Sequence, residues 1–138
     1  MATTEDAVVD AVRDAVTALG YSEAIGFDFS KQPTTALDKA FVVSYKADTP
    51  VGGFNYSEEA RGLVSVQLAR VITGDHQVTR RTCWQDARDI VNAIIRDGAE
   101  SGVYAAEDAG RQSAVDSPKG ANHLVVTVTL PVNFEAEL

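Results

Sequence analysis

The sequence predicts one α+β domain in which two helices pack on one face of an antiparallel sheet, in the order helix, strand, strand, helix, hairpin. Three observations predict this class. Two segments repeat apolar residues at helical spacing, other segments alternate apolar and polar residues, and most strand segments follow one another through short connections. Strands joined by short connections pair antiparallel, which leaves the helices to cover one face.

The first predicted helix runs from Ala7 to Leu19. Its apolar positions recur at the spacing of one helical face. These positions are Val8, Val12, Ala15, Val16 and Leu19. Thr3 or Thr4 is placed to cap the first turn, and Gly20 ends the helix.

The next strands are predicted from alternation of apolar and polar residues. Residues 21–40 predict a short strand followed by a long connection. Phe41–Lys46 and Leu63–Ile72 each place apolar side chains on one face, although Arg70 interrupts the apolar parity of the second strand.

The second predicted helix spans Cys83–Asp97, with Thr82 and Gln85 at the spacing of a capping box and Gly98 at its end. Its apolar stripe is expected to be the main cover of the sheet. The stripe consists of Trp84, Ala87, Ile90, Val91, Ile94 and Ile95. Two carboxylates that lie off the stripe, and are expected to be solvated, are Asp86 and Asp89.

A hairpin is predicted for the last third of the chain. One arm starts near Val103, residues 116–120 have turn chemistry, and His123–Phe134 alternates more regularly than any other segment. Pro131 has no amide hydrogen, which predicts a sheet edge or a bulge at its position.

The composition limits the possible functions. The 138 residues fit a single domain, residues 1–138, and carry a formal net charge of −8, with 12 Lys and Arg against 20 Asp and Glu. Tight binding to DNA or to an anionic membrane is not expected, because both rely on Lys and Arg. The acidic N-terminus and the lack of an apolar run of about 18 residues predict a soluble, intracellular protein.

No combination of residues predicts a catalytic, cofactor or metal site. Cys83 is the only cysteine, and nothing in the sequence brings it near either histidine, His76 or His123. At the start of the predicted second helix Cys83 is expected to have a somewhat lowered pKa, but to be structural. The sequence has no metal-ligand spacing and no phosphate-binding loop. We therefore expect no enzyme activity and no cofactor.

Residues 47–61 are predicted to be an irregular connection, because they contain Pro50 and the pair Gly52-Gly53. They also carry large apolar side chains, which either fold back onto the domain or await a partner. The residues of this segment that we select as a candidate interface are Val51, Phe54, Tyr56, Glu58 and Glu59.

The order of elements resembles the tail terminator proteins of long-tailed, siphovirus-like bacteriophages. The segments that carry the resemblance are Ala7–Leu19, Phe41–Tyr45, Leu63–Ile72, the pattern from Trp84 to Ile94, and Leu124–Phe134. The resemblance implies a virion protein that is assembled in the host cytoplasm and forms a ring, typically hexameric. Such a ring caps the tail tube protein, ends tube growth and meets the head-side connector. DNA would pass through it without tight binding, and carboxylates lining the channel would favour that passage.

Two other functions fit the same sequence. One is a head–tail connector of the stopper, adaptor or head-completion class, which has similar size and acidity. The other is a small-molecule-binding protein or enzyme with a pocket between the second helix and the sheet. A ring or hexamer in solution favours the first two functions, and a monomer stabilised by a ligand favours the third.

Overall fold

The computed structural model describes residues 4–23, 38–54, 57–108, 110–118 and 122–137. The α+β class is confirmed, with two helices in this part of the chain. In chain order the elements are α1 (Glu5–Thr17), β1 (Ser22–Glu23), β2 (Ala40–Phe54), β3 (Ser57–Val71), α2 (His76–Ser101), β4 (Ala105–Ala106), β5 (Gln112–Asp116) and β6 (His123–Glu137). The predicted element order was therefore incomplete, because it lacked the two-residue strands β1 and β4. Strand β1 lies in the 21–40 segment, for which a short strand was predicted.

The sheet of the described residues has the order β1-β2-β3-β6-β4, and β5 also pairs with β6. Strands β2, β3 and β6 are antiparallel, as predicted, but β1 pairs parallel with β2 through Ser22 and Ala40. The prediction of a purely antiparallel sheet was wrong. Parallel neighbours need a long connection, and the chain between Glu23 and Ala40 is long enough to provide one.

Helix α1 follows the prediction closely. The Thr4 hydroxyl accepts a hydrogen bond from the amide of Ala7 at 3.2 Å and so caps the first turn. The three buried residues of the helix are Val8, Val12 and Val16. Leu19 lies beyond the last helical residue and is 40% exposed, so it does not extend the apolar face as predicted.

Helix α2 is longer than predicted at both ends. Asp75 caps its start, where the carboxylate accepts from the amide of Gln77 at 2.8 Å, and Gly102 ends it with a left-handed φ of 72°. Gly98 lies inside the helix and does not end it as predicted. A methyl group at this position would come within 2.8 Å of the Tyr104 ring. The absence of a side chain at Gly98 lets Tyr104 pack against the helix.

The predicted C-terminal hairpin is present, with β5 antiparallel to β6. Pro131 lies inside the sheet rather than at its edge, since β6 has β3 on one side and β5 or β4 on the other. Its carbonyl accepts from the amide of Glu107 at 3.1 Å, at the point where the neighbour of β6 changes from β5 to β4. On this side of β6, neither β5 nor β4 pairs with Pro131 in the described structure, so its nitrogen needs no hydrogen to donate to a neighbouring strand. The sheet therefore tolerates a proline there.

Both helices pack on the same face of the sheet and share one hydrophobic core. The buried face of β6 consists of Leu124, Val126, Val128, Leu130, Val132 and Phe134, as its alternation predicts. Helices α1 and α2 pack against each other, and α1 contacts β1 and β2 whereas α2 mainly contacts β6, β4 and β5. The helices therefore lie side by side, with α1 over the β1–β2 part of the sheet. Neither described helix has the length and apolar character that crossing a bilayer would need.

The described residues of the 47–61 segment, 47–54 and 57–61, form strands rather than the irregular connection that was predicted. Strand β2 continues to Phe54, and β3 begins at Ser57. The pairing shifts register between Tyr45 and Ala47 and again between Pro50 and Gly52. Such irregularities let a strand accommodate proline and glycine, and β2 has no partner on its outer side here within the described residues.

Candidate functional site

The predicted interface residues come together at one end of the sheet. Val51 and Phe54 lie in β2, and Glu58 and Glu59 lie in β3. The backbone pairs Phe54 with Ser57 at the end of the β2–β3 hairpin. Tyr56, the fifth predicted residue, lies outside the described residues.

Strand β6 extends the hairpin into three strands, which we call the distal sheet (residues 47–54, 57–62 and 132–137). Its backbone places Glu59 directly opposite Glu135 and Ser57 opposite Glu137. Like charges on opposed positions of neighbouring strands disfavour pairing. The sequence of the distal sheet therefore concentrates acidic residues at one end of the sheet.

Among the residues whose burial is described, the hydrophobic core includes Ala60 and Phe134 at the base of the distal sheet. Ala60 and Phe134 form a buried cross-strand pair, and the ring of Tyr45 packs edge-on against Phe134, with 6.2 Å between the centroids. One residue closer to the centre of the sheet, Arg61 forms an ion pair with Glu107 at 3.2 Å. This packing anchors the distal sheet to the domain.

A second surface lies beside Trp84, which was predicted to belong to the core stripe of α2. Trp84 is instead 46% exposed and lies at a groove of about 290 Å³. The groove is lined by Trp84, Ala87, Arg88, Arg111 and Ser113. Tryptophan is highly buried on average, and tryptophan and arginine are enriched at protein interfaces. Periodicity did not separate Trp84 from the core because it lies at the margin of the stripe.

The exposed side of α2 is basic although the chain is acidic. Arg81, Arg88 and Arg96 are exposed, and in the described part of the chain none of them forms an ion pair. The net charge of the chain, −8, gives no indication of this surface. The signal was available in the concentration of arginine within one helix.

A buried polar cluster fixes α2 to the rest of the fold. Arg70 donates to both oxygens of Asp86, at 2.6 and 2.8 Å, and the hydroxyl of Tyr21 donates to the same carboxylate at 2.7 Å. Asp86 is only 3% exposed, so the prediction that it is solvated was wrong. The guanidinium of Arg70 also lies 5.9 Å from the centroid of the Tyr21 ring.

The electrostatics of this cluster indicate a structural role. Burial and the hydrogen bond to Asp86 raise the pKa of Tyr21, and the hydrogen bonds to Asp86 raise the pKa of Arg70. Neither group is prepared to exchange protons near neutral pH. In the sequence, Arg70 occupies a position of β3 whose alternation predicts a side chain facing the core. Because a buried charge needs an opposite charge, this position indicated that an acidic residue lies nearby.

Cys83 is fully buried within α2, not in its first turn, and burial raises the pKa of its thiol to about 11. The predicted lowering of this pKa was therefore wrong.

His76 is the exposed first residue of α2, and His123 is a buried residue at the start of β6. No hydrogen bond joins Cys83 to either histidine in the described structure. Among the described residues, no three His, Cys, Asp or Glu side chains are grouped as metal ligands are.

A groove of about 400 Å³ lies between the end of α2 and the sheet, where a small-molecule pocket was considered. Two of its polar lining groups already have partners. The hydroxyl of Tyr104 donates to the carbonyl of Ile94 at 2.8 Å, and the amide of Asn133 donates to Glu107 at 2.7 Å. These groups serve the fold, and the groove gives no specific support for a ligand.

Comparison with models of known protein families gives no match, and comparison with curated proteins gives none either. The surfaces described above are therefore the basis on which a function is proposed.

Proposed function

We propose that the chain is a structural virion protein that forms a hexameric ring, caps a phage tail tube, terminates its growth and joins it to the head-side connector. The observation that carries the proposal is the distal sheet. It brings Val51, Phe54, Glu58 and Glu59 to one end of the sheet, next to the end of β6. An extended sheet end of this kind offers backbone and side chains to a neighbouring assembly.

The acidic character of this end fits a ring through which DNA passes. Carboxylates at Glu58, Glu59, Glu135 and Glu137 would repel the phosphate backbone and keep it from adhering. In this proposal the protein has no enzymatic role and needs no cofactor. Its partners are other copies of the chain, the tail tube protein and the connector.

The proposal is tested with purified protein and isolated tail tubes. Light scattering after size-exclusion chromatography and electron microscopy should show hexameric rings, and the rings should cap the tubes. Phe54→Ala and Tyr56→Ala should leave the melting temperature unchanged and weaken binding to the tubes. Val78→Ala is the matched control, because Val78 is 56% exposed in α2, away from the distal sheet.

Three results would contradict the proposal. A monomer that neither forms rings nor caps tubes would remove it. Strong destabilisation of the isolated protein by both aromatic substitutions would place those residues in the core. Rings that bind the head-side connector but never the tube would favour the head–tail connector function instead.

A further inference from the structure

We infer that one basic flank of α2 docks against the acidic side of α1 in a second copy of the chain. The basic flank consists of Arg81, Trp84 and Arg88 on α2 with Arg111 beside β5, and the acidic flank consists of Asp6, Asp10 and Asp14 on α1. The inference deepens the proposed function, on which it rests, by naming the lateral contact of the ring.

The basic flank has the composition of an energetic centre of an interface. Arg81, Trp84 and Arg88 follow one another at i, i+3 and i+7, so they share one side of α2. Arg111 extends this side across the groove, although it also forms an ion pair with Asp108 at 3.3 Å. Tryptophan and arginine dominate measured binding energies, because they combine a large contact area with directed hydrogen bonds.

The acidic flank has the complementary charge and a similar length. Asp6, Asp10 and Asp14 recur every four residues, opposite the buried valines of α1, and all three are exposed. Arg13 forms ion pairs with Asp10 at 2.9 Å and with Glu23 at 3.1 Å. It leaves the flank negative, because the carboxylates outnumber it. Like charges at this spacing destabilise an isolated helix, so a cationic partner would relieve a repulsion already present.

The two flanks lie on helices that cover different parts of the sheet. The helices pack against each other, and α1 contacts β1 and β2 whereas α2 contacts β5 and β6. A contact between two different surfaces of identical chains is heterologous, and its repetition closes a ring or extends a filament. Complementary flanks on two different helices of one chain allow such repetition.

A second copy fits the basic flank better than nucleic acid does. A nucleic acid would meet the few arginines of this flank, but it would also meet a chain of net charge −8. A second copy offers the matching carboxylates at helical spacing and leaves the net charge of each subunit unchanged. Salt should weaken the contact, because the charges involved are exposed.

The test is charge reversal within the full chain. Arg88→Glu and Asp14→Arg should each raise the concentration needed for assembly at least tenfold, measured by light scattering at low salt. The double variant carries both reversals, so every interface regains an opposite pair and assembly should recover. Arg96→Glu is the matched control, because it reverses an exposed, unpaired arginine of α2 outside the basic flank; it should leave assembly unchanged. Circular dichroism checks that each variant is folded.

The outcomes separate this inference from the proposed function. Rings that form normally in Arg88→Glu and Asp14→Arg would overturn the inference and leave the ring proposal standing. The protein could instead form filaments or dimers that are lost in Arg88→Glu and restored in the double variant. This result would support the inferred contact and contradict the ring. Loss of assembly without recovery in the double variant would overturn α1 as the partner. Loss of duplex DNA binding in Arg88→Glu, with unchanged oligomeric state, would assign the flank to nucleic acid and overturn the inference.

Discussion

Replacing Asp86 with alanine removes the acceptor that Arg70 and Tyr21 share in the buried cluster. The side chain of Arg70 is 17% exposed, so its charge would remain largely buried without a counterion. Breaking a buried ion pair by removing one partner costs about 3–5 kcal/mol. The partial exposure of Arg70 favours the lower end of that range, and the stranded hydroxyl of Tyr21 adds about 1 kcal/mol. We expect a loss of about 4 kcal/mol, a large part of the ~5–15 kcal/mol by which domains are stable.

Urea unfolding followed by far-ultraviolet circular dichroism measures this loss. Wild type and variant should be compared at the same low subunit concentration, so that assembly does not add to the stability of either. Asp89→Ala is the control, because Asp89 lies on the same helix and accepts a hydrogen bond from Gln85 at 2.9 Å on the exposed surface. Its removal should cost about 0.5 kcal/mol or less.

A second substitution identifies the unpaired charge as the cause. Arg70→Met in the Asp86→Ala background removes the stranded guanidinium, so the double variant should be more stable than Asp86→Ala alone. A cost below about 1 kcal/mol for Asp86→Ala would refute the argument. Strictly additive losses in the double variant would refute it as well, because they would show that the two residues do not interact.

Two further predictions concern packing and pH. Burial holds the pKa of Cys83 at about 11 against an ordinary value of 9.0, so the thiol contributes stability in full below about pH 9 and loses that contribution as the pH rises to 11. The loss is on the order of 2 kcal/mol, and Cys83→Ala should weaken the alkaline decline of the urea midpoint; identical declines in both proteins would contradict this. A methyl group at Gly62 would overlap the ring of Tyr45, so Gly62→Ala should cost about 1–3 kcal/mol in urea unfolding. Tyr45→Leu should recover part of that loss, and failure to recover any would show that another contact is responsible.

Patterns that arise from burial on one face were predictable from the sequence. The three valines of the predicted α1 stripe and the even-numbered residues of β6 from Leu124 to Phe134 are buried as their spacing indicates. The period of a helix or strand is fixed by backbone geometry, so a residue facing the core must recur at that period. Segments with a single buried face therefore reveal their structure without knowledge of their neighbours.

Features that depend on distant contacts were not predictable in the same way. The first turns of α2 contain few apolar residues, and Thr82 with Gln85 forms a capping pattern inside the helix rather than at its start. The solvated interpretation of Asp86 failed because its partner, Arg70, lies on β3, and no local pattern encodes that pairing. Residues 47–54 are paired strand because β3 supplies their hydrogen bonds, which outweighs the local tendency of proline and glycine to break regular structure.

The candidate surfaces differed in how far the sequence revealed them. Phe54 and Glu58 were selected as large apolar and acidic residues in an unusual segment, and the hairpin register explains why they meet at one end of the sheet. The basic flank required knowledge of which side of α2 faces solvent. Trp84 counts as a core residue by composition, and only the packing of the helix shows that it faces outward.

The buried cluster and the basic flank depend on each other through the rotation of α2. Asp86 lies two residues from Trp84 and two from Arg88, and each such step turns the helix by about 200°. Because Arg70 and Tyr21 hold Asp86 inside the fold, Trp84 and Arg88 must lie on the other side of the helix, beside β5. Helix α2 thus contacts the core through the carboxylate of Asp86 and exposes Arg88 on its opposite side. The cluster that stabilises the domain therefore also orients the surface through which we infer that one subunit meets the next.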